Sequence, residues 1–151
     1  MKPILPLLAL LAAAPFAAAL APFKVEITCN DQMTYNSKGF EILVGQAVTL
    51  TLKNVGKIPI KMMGHNLVIL KPGTPVPAFA GKAHAEKAKS YIPQDAESRN
   101  QIFAHTRLLG GGESDTITFT AKEPGAYPFI CTSPGHFSIM QGVMTVKEKA
   151  N

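Results

Sequence analysis

One short loop near the C-terminus carries three side chains that bind soft metals. Its sequence, CTSPGHFSIMQG, contains Cys131, His136 and Met140 at spacings of five and four residues. The intervening Thr-Ser-Pro-Gly has the composition of a tight turn, which would return His136 to within a few ångströms of Cys131. A further donor must come from elsewhere, and the stretch MMGHN offers His65 at the start of a predicted strand.

This set of donors predicts a copper site of the kind used for electron transfer. Two imidazoles and one thiolate with a weakly bound thioether characterise blue copper centres. The thiolate stabilises Cu(I) and shares electron density with Cu(II), while imidazole suits both oxidation states. A long thioether bond keeps the site from the square-planar geometry that Cu(II) prefers. Because a folded scaffold holds the ligands, little has to move when an electron arrives.

Two other interpretations of these donors stay open at this point. The chain has two cysteines, Cys29 and Cys131. If the protein is exported, the two would ordinarily form a disulfide, but the histidines and the methionine would then have no role. A zinc site with an open position could catalyse hydrolysis. No Asp or Glu lies near the loop in sequence to act as a general base, and Cu(II) should outcompete Zn(II) for these ligands.

The two remaining histidines are predicted to lie outside the site. His84 belongs to a charged segment with helical composition and is expected to be solvated. His105 is expected to be a surface residue at the end of a strand, with a secondary contact to the site as the alternative.

Eight short apolar segments must position the donors. Val, Ile, Thr and Phe dominate them, and turn sequences such as GGGES and KEPG separate them, so they are predicted to be strands. Strands at this interval predict an all-β sandwich. Helix formers at 80–90 predict one short helical flap within an insertion at 72–100. The predicted strands are residues 23–28, 40–44, 47–53, 66–70, 101–104, 115–121, 126–131 and 142–147.

The N-terminus has the pattern of a secretory signal peptide. A basic Lys2, an apolar stretch from 4 to 11 and small residues at 17–19 match that pattern. Prolines interrupt the apolar stretch, which argues against a spanning helix of about 20 residues. We therefore expect residues 1–19 to be removed, leaving residues 20–151 as a single exported domain with no stable membrane insertion. Retention of the leader as an anchor is the alternative.

The charge of the chain is modest. The formal net charge is +5, and Lys82, Lys87 and Lys89 come closest to forming a cluster. No aromatic residues interleave with these lysines, so nucleic-acid binding is not predicted. A mildly basic surface can still steer an acidic protein partner.

Four stretches of the sequence carry a family resemblance. They are NDQM, MGHN, AHTRLLGGGESDTITF and CTSPGHFSIMQG, and together with the strand pattern they span nearly all of the exported part. The sequence resembles the azurins, small blue copper proteins of the cupredoxin family, with some likeness to the auracyanins. The resemblance implies a Greek-key β-sandwich of about eight strands that binds one copper. It further implies a periplasmic single-electron carrier, not an enzyme, that serves redox proteins such as c-type cytochromes or copper and haem reductases.

The resemblance also implies which residues hold the copper. His65, Cys131 and His136 match the equatorial ligands, and Met140 matches the axial methionine. Gly64 matches the residue whose carbonyl oxygen makes a long contact opposite the methionine.

Residues around the ligands partly follow and partly depart from the family pattern. Asn66 matches the residue that ties the His65 loop to the Cys131 loop, and an amide N–H near Ser133 is expected to point at the thiolate. Ser133 and Leu67 replace aromatic residues that the family often carries, so a reduction potential cannot be transferred. The family's usual disulfide has no cysteines here, and Cys29 is therefore expected to be a lone, buried thiol.

An apolar surface around His136 is the predicted docking site for redox partners. Small apolar contacts suit short-lived redox encounters. One of Met62 and Met63 is expected to face the core, because neighbours on an extended segment point in opposite directions. The competing hypothesis is a periplasmic copper carrier or buffer with an open, labile site. The residues expected on this surface are Met33, Ile58, Met62, Met63, Pro134 and Ile139.

Overall fold

Eight strands form two sheets in the computed structural model, which describes residues 20–149. The predicted leader at 1–19 lies outside the described residues. All eight predicted strands are confirmed, with ends that differ by no more than two residues. They are β1 (Phe23–Cys29), β2 (Gly39–Leu43), β3 (Ala47–Asn54), β4 (Val68–Leu70), β5 (Ile102–His105), β6 (Ser114–Thr120), β7 (Gly125–Ile130) and β8 (Gln141–Lys147).

The strand order confirms the predicted sandwich. One sheet has the order β1-β3-β6, and the other has the order β2-β8-β7-β4-β5. The pairs β1–β3 and β2–β8 are parallel, whereas the remaining pairs are antiparallel. Because β1 and β2 lie in different sheets, the chain crosses from one layer to the other, as a Greek-key arrangement requires.

The core lies between the sheets and follows from the alternation of each strand. On β3, for example, Val48, Leu50 and Leu52 are buried while the residues between them are less buried. The packing is tight where β7 meets β8. A Cβ atom at Gly142 would lie 2.2 Å from Cζ of the fully buried Phe129, so no larger residue fits there without displacing the ring.

The helical insertion is larger than predicted. Helix α2 (Val76–His84) begins before residue 80, and Pro77 lies in its first turn, where a missing backbone N–H breaks no helical hydrogen bond. A 3₁₀ helix (Lys87–Lys89) and α3 (Ala96–Gln101) follow, and the Asp95 carboxylate caps α3. The prediction of one short helix was therefore wrong in number and extent. A further helix, α1 (Ile60–Met63), precedes the MGHN stretch.

The flap packs on the outer side of the five-stranded sheet. Phe79 and Ala80 of α2 form a second buried cluster with Val68, Leu70 and Ile130. The flap also contains two successive non-glycine residues with left-handed backbones, Ser90 at φ 56° and Tyr91 at φ 61°. Such a conformation is costly for a bulky residue and persists where the surroundings fix it. Within residues 20–149 there is no helix long and apolar enough to cross a membrane.

Candidate metal centre

The loop after β7 is closed by its own backbone. Cys131 directly follows β7, and its N–H donates to the carbonyl of Met140 at 3.0 Å. The N–H of Met140 donates to the carbonyl of His136 at 2.8 Å, and the N–H of His136 donates to that of Ser133 at 3.0 Å. Gly135 takes φ 79°, the left-handed conformation that the Pro-Gly turn needs. The predicted turn therefore returns His136 to Cys131.

His65 is held by a separate segment. Its N–H donates to the carbonyl of Leu109 at 3.0 Å, and the N–H of Leu109 donates to the carbonyl of His65 at 2.7 Å. The preceding Gly64 allows close packing, since a Cβ atom there would lie 2.7 Å from the carbonyl oxygen of Ile60. The sequence indicated the stretch containing Leu109 as a motif, but its role in positioning His65 becomes evident only from the fold.

Three of the predicted donors meet at one buried point. The Sγ atom of Cys131 lies 3.5 Å from Nδ1 of His136 and 3.9 Å from Nδ1 of His65. All three donor atoms lie within 4.8 Å of one another. With metal–nitrogen bonds of about 2.0 Å and metal–sulfur bonds of about 2.3 Å, a trigonal or tetrahedral ion needs N···S separations of about 3.5 to 3.7 Å. One soft sulfur and two imidazole nitrogens at these distances fit copper.

Burial keeps both imidazoles in the neutral form that binds metals. It lowers the pKa of His136 to about 4, with further lowering from the nearby rings of His65 and His84. Burial also lowers the pKa of His65, while the Asn30 backbone and Asp31 act in the opposite direction. The pKa of the Cys131 thiol is raised by burial, and the backbones of Asn66 and Ser133 partly offset this effect.

The two residues predicted as axial groups adjoin the clustered residues through the backbone: Met140 is hydrogen-bonded to Cys131 and His136, and Gly64 precedes His65. Met140 is fully buried and belongs to the same hydrophobic core as Cys131. The carbonyl oxygen of Gly64 accepts a hydrogen bond from the hydroxyl of Ser133 at 2.6 Å. This contact was not anticipated from the sequence, because the two residues are 69 positions apart.

Asn66 joins the two halves of the site, as predicted. Its Oδ1 accepts from the N–H of Thr132 at 2.9 Å, and its Nδ2 donates to the hydroxyl of Thr132 at 2.7 Å. Its backbone carbonyl accepts from the hydroxyl of the buried Tyr35. Since Asn66 and Thr132 are both fully buried, these bonds are shielded from water.

The other cysteine and the other histidines do not join the site. Cys29 and Cys131 are both free, which excludes the disulfide interpretation. Cys29 is buried, as expected, and burial raises the pKa of its thiol to about 12. His105 is exposed, whereas the prediction of a solvated His84 was wrong. The His84 ring is half-buried 6.1 Å from the Phe137 ring, and its Nε2 has no hydrogen-bond partner in the described part of the chain.

The family model that matches this chain describes copper-binding proteins of the plastocyanin/azurin family and covers residues 21–147. The chain belongs to this family. Azurin from Pseudomonas putida is 37% identical over 131 residues, which cover 84% of this chain and 100% of that protein. Azurin from Pseudomonas fluorescens biotype C is 35% identical over the same shares of the two chains.

Solved structures extend the likeness to the auracyanins. The dithionite-reduced auracyanin of Roseiflexus castenholzii is 39% identical, with a TM-score of 0.73 over 84% of this chain and 98% of that one. Auracyanin A, a blue copper protein of Chloroflexus aurantiacus, is 32% identical, with a TM-score of 0.73 over 84% of this chain and 100% of that one. The family and the His-Cys-His cluster together identify this protein as a blue copper electron carrier with one copper, and not an enzyme.

Proposed function

We propose that the protein is a periplasmic single-electron carrier whose copper would be held by His65, Cys131 and His136. Met140 and the carbonyl oxygen of Gly64 would complete the site. The buried cluster of two Nδ1 atoms and one Sγ atom supports this assignment. When bound, the copper supplies a one-electron couple between Cu(I) and Cu(II).

The chain itself restricts how the site responds to electron transfer. The paired backbones of Cys131 and Met140, the pair of His65 and Leu109, and the bonds from Asn66 to Thr132 hold the donors in place. Because these contacts are made between groups of the chain itself, the fold would hold the donors in place through a redox cycle. A site of this kind favours electron transfer over delivery of the metal.

The first test is the spectrum of the exported protein after addition of Cu(II). An intense blue colour and a small parallel hyperfine splitting in the electron paramagnetic resonance spectrum are expected from a thiolate–copper bond. Cys131→Ser should abolish the blue colour, and Cys29→Ser should leave it unchanged because Cys29 lies outside the cluster. A pale Cu(II) spectrum in the unmodified protein would contradict the assignment. Rapid copper loss to a chelator would favour the copper carrier or buffer.

The electron exit is proposed to be the edge of His136. The residue is 8% exposed, whereas His65, Cys131 and Met140 have no exposed surface. The apolar residues that reach solvent around it are Ile60, Met62 and Ile139, and Pro134 is also exposed. Proteins such as c-type cytochromes or copper and haem reductases are the proposed partners at this apolar surface.

The structure identifies Met62 as the methionine that best tests this surface. Met62 and Met63 lie on α1 and not on an extended segment, so the alternation argument does not apply. Met62 is 78% exposed, whereas Met63 is half-buried and Met33 packs against the core. Met62→Gln, which removes apolar surface without adding charge, should therefore slow electron exchange with a c-type cytochrome and leave the copper spectrum intact. Met62→Leu, which stays apolar, is the matched control, and equal rates for both variants would refute the docking assignment.

The proposed exported domain comprises residues 20–151, with cleavage after Ala19. Mass spectrometry of the protein recovered from the periplasm would give the N-terminal residue directly. Recovery of the intact chain from the membrane fraction would show instead that the leader is retained as an anchor.

A further inference from the structure

The surface beside His136 continues into two further hollows. The first hollow, of about 180 Å³, is lined by His136, Pro134, Ile60, Lys61 and Tyr91 among others. A second shares Ile60, Lys61 and Tyr91 and adds Lys87 and Leu108. A third begins at Leu108 and is lined by Lys89, Arg99 and Arg107. Since each hollow shares residues with the next, the electron exit and the flap form one continuous face.

This face is basic, and most of its charges are uncompensated. No Asp or Glu lines any of the three hollows. Arg107 pairs with Glu113, but Lys61, Lys87, Lys89 and Arg99 form no salt bridge within residues 20–149. We name these four residues the basic rim.

The acidic groups nearest in sequence do not neutralise the basic rim. Asp95 and Glu97 of the flap both pair with Lys82. The half-buried Glu86 forms no salt bridge with a described residue. The rim charges are therefore free to act on an approaching partner.

The fold fixes the basic rim close to the copper site. Ser90 and Tyr91, in their left-handed conformations, directly follow the 3₁₀ helix that carries Lys87 and Lys89. The carbonyl of Ser90 accepts a long hydrogen bond of 3.4 Å from Nδ2 of Asn66, the residue that joins the two halves of the site. The strained turn thus brings Tyr91 to the hollow beside His136, while Lys87 lines the second hollow and Lys89 the third.

We propose that the flap forms the basic half of the docking face and selects redox partners whose own electron-entry surface is apolar at its centre and acidic around it. The proposal rests on the proposed electron-carrier function and adds the charge of the partner. Charges of opposite sign around an apolar contact accelerate encounter and fix orientation without adding lasting affinity. That combination suits a carrier that must dissociate after each electron.

The test compares two c-type cytochromes of similar reduction potential, one with an acidic haem edge and one with a basic haem edge. The rate of electron exchange with the copper-loaded protein is measured by stopped flow at about 10 mM and about 200 mM salt, where the screening length falls from about 30 Å to below about 8 Å. We expect the acidic cytochrome to react about 10-fold faster at low salt, and this advantage to disappear at high salt.

Two double variants locate the effect. Lys87→Glu with Lys89→Glu reverses two rim charges, and Lys24→Glu with Lys122→Glu makes the same change in net charge elsewhere. Lys24 lies near the start of β1, about 17 Å along the strand from Cys29 at its end. Cys29 belongs to the same core cluster as Cys131, so Lys24 lies toward the opposite end of the sandwich from the donors. Lys122 precedes β7, a strand of about 20 Å that leads to Cys131. At low salt, the double variant at Lys87 and Lys89 should exchange electrons with the acidic cytochrome about 10-fold more slowly than the unmodified protein. The double variant at Lys24 and Lys122 should lower this rate less than about 2-fold.

Each outcome tests either the basic rim or the electron-carrier function on which the basic rim rests. Equal slowing by both double variants would show an effect of net charge only and would overturn the basic rim. Equal rates with both cytochromes and no dependence on salt would overturn it too, while the electron-carrier function would stand. If the blue protein exchanges electrons with neither cytochrome, the carrier function itself is refuted, and the basic rim with it.

Discussion

Replacing Asn66 with leucine should destabilise the copper-free protein by about 3 kcal/mol. Leucine has nearly the shape of asparagine, so packing changes little, but it cannot accept from the N–H of Thr132 or donate to its hydroxyl. Both groups of Thr132 would remain buried without these partners. An unpartnered buried polar group costs about 1 to 3 kcal/mol, and two of them at about 1.5 kcal/mol each give the stated loss.

The loss can be read as a shift of the thermal midpoint. Unfolding entropy near 60 °C is about 2.1 cal/mol/K per residue, so about 130 residues give roughly 0.27 kcal/mol/K and a fall of about 11 °C. Circular dichroism of the copper-free protein in a thiol reductant measures it. The metal must be absent because bound copper would add its own stabilisation.

Thr132→Val is the matched control. It removes the hydroxyl but keeps the N–H that donates to Oδ1 of Asn66, so a loss of about 1 kcal/mol is expected. In the double variant the hydroxyl is gone, and its orphaning no longer contributes to the cost of Asn66→Leu. The two losses should therefore be non-additive by about 1.5 kcal/mol. A midpoint shift below about 3 °C for Asn66→Leu, or strict additivity, would refute this account of the link.

Three further predictions concern pH, packing and potential. The stability of the copper-free protein should fall by about 3 kcal/mol between about pH 7 and pH 4, because the pKa of His136 is about 4 when folded against 6.5 when unfolded, so the unfolded chain takes up the proton first. Urea unfolding tests this, and an equally steep pH dependence in His136→Gln would contradict it. Gly142→Ala should cost about 2 to 3 kcal/mol, because its Cβ would clash with Phe129, and an unchanged urea midpoint would disprove this steric argument. Ser133→Ala should lower the reduction potential measured by voltammetry, because the Gly64 carbonyl loses its hydrogen bond and can interact more strongly with Cu(II). Ser138→Ala, on the same loop, should leave the potential unchanged, and equal shifts in both variants would count against this role of Ser133.

The strands and the metal-binding loop could be predicted because both depend on short-range patterns. Alternating apolar residues mark a half-buried strand wherever it lies in the sandwich. The loop from Cys131 to Met140 carries its own turn and its own donors, so its geometry is nearly complete within ten residues. His65 lies far from this loop in sequence; its position at the start of a predicted strand indicated it as a donor, and the family resemblance assigned its role.

The features that were missed depend on contacts between segments far apart in sequence. His84 was expected in solvent because its neighbours are charged, but the flap folds back and packs its ring near Phe137. The α1 helix has four residues and no side-chain cap, so no local sequence pattern predicts it. The bond from Ser133 to Gly64 joins loops that meet only in the folded chain.

The uneven burial of the donors has a consequence for metal exchange. Of the three clustered donors, only His136 has exposed surface. If copper passes in and out beside this residue and partners dock over it, as proposed for electron transfer, a seated partner would also close the route by which copper leaves. Copper loss to a chelator should then be slower in the complex than in the free protein.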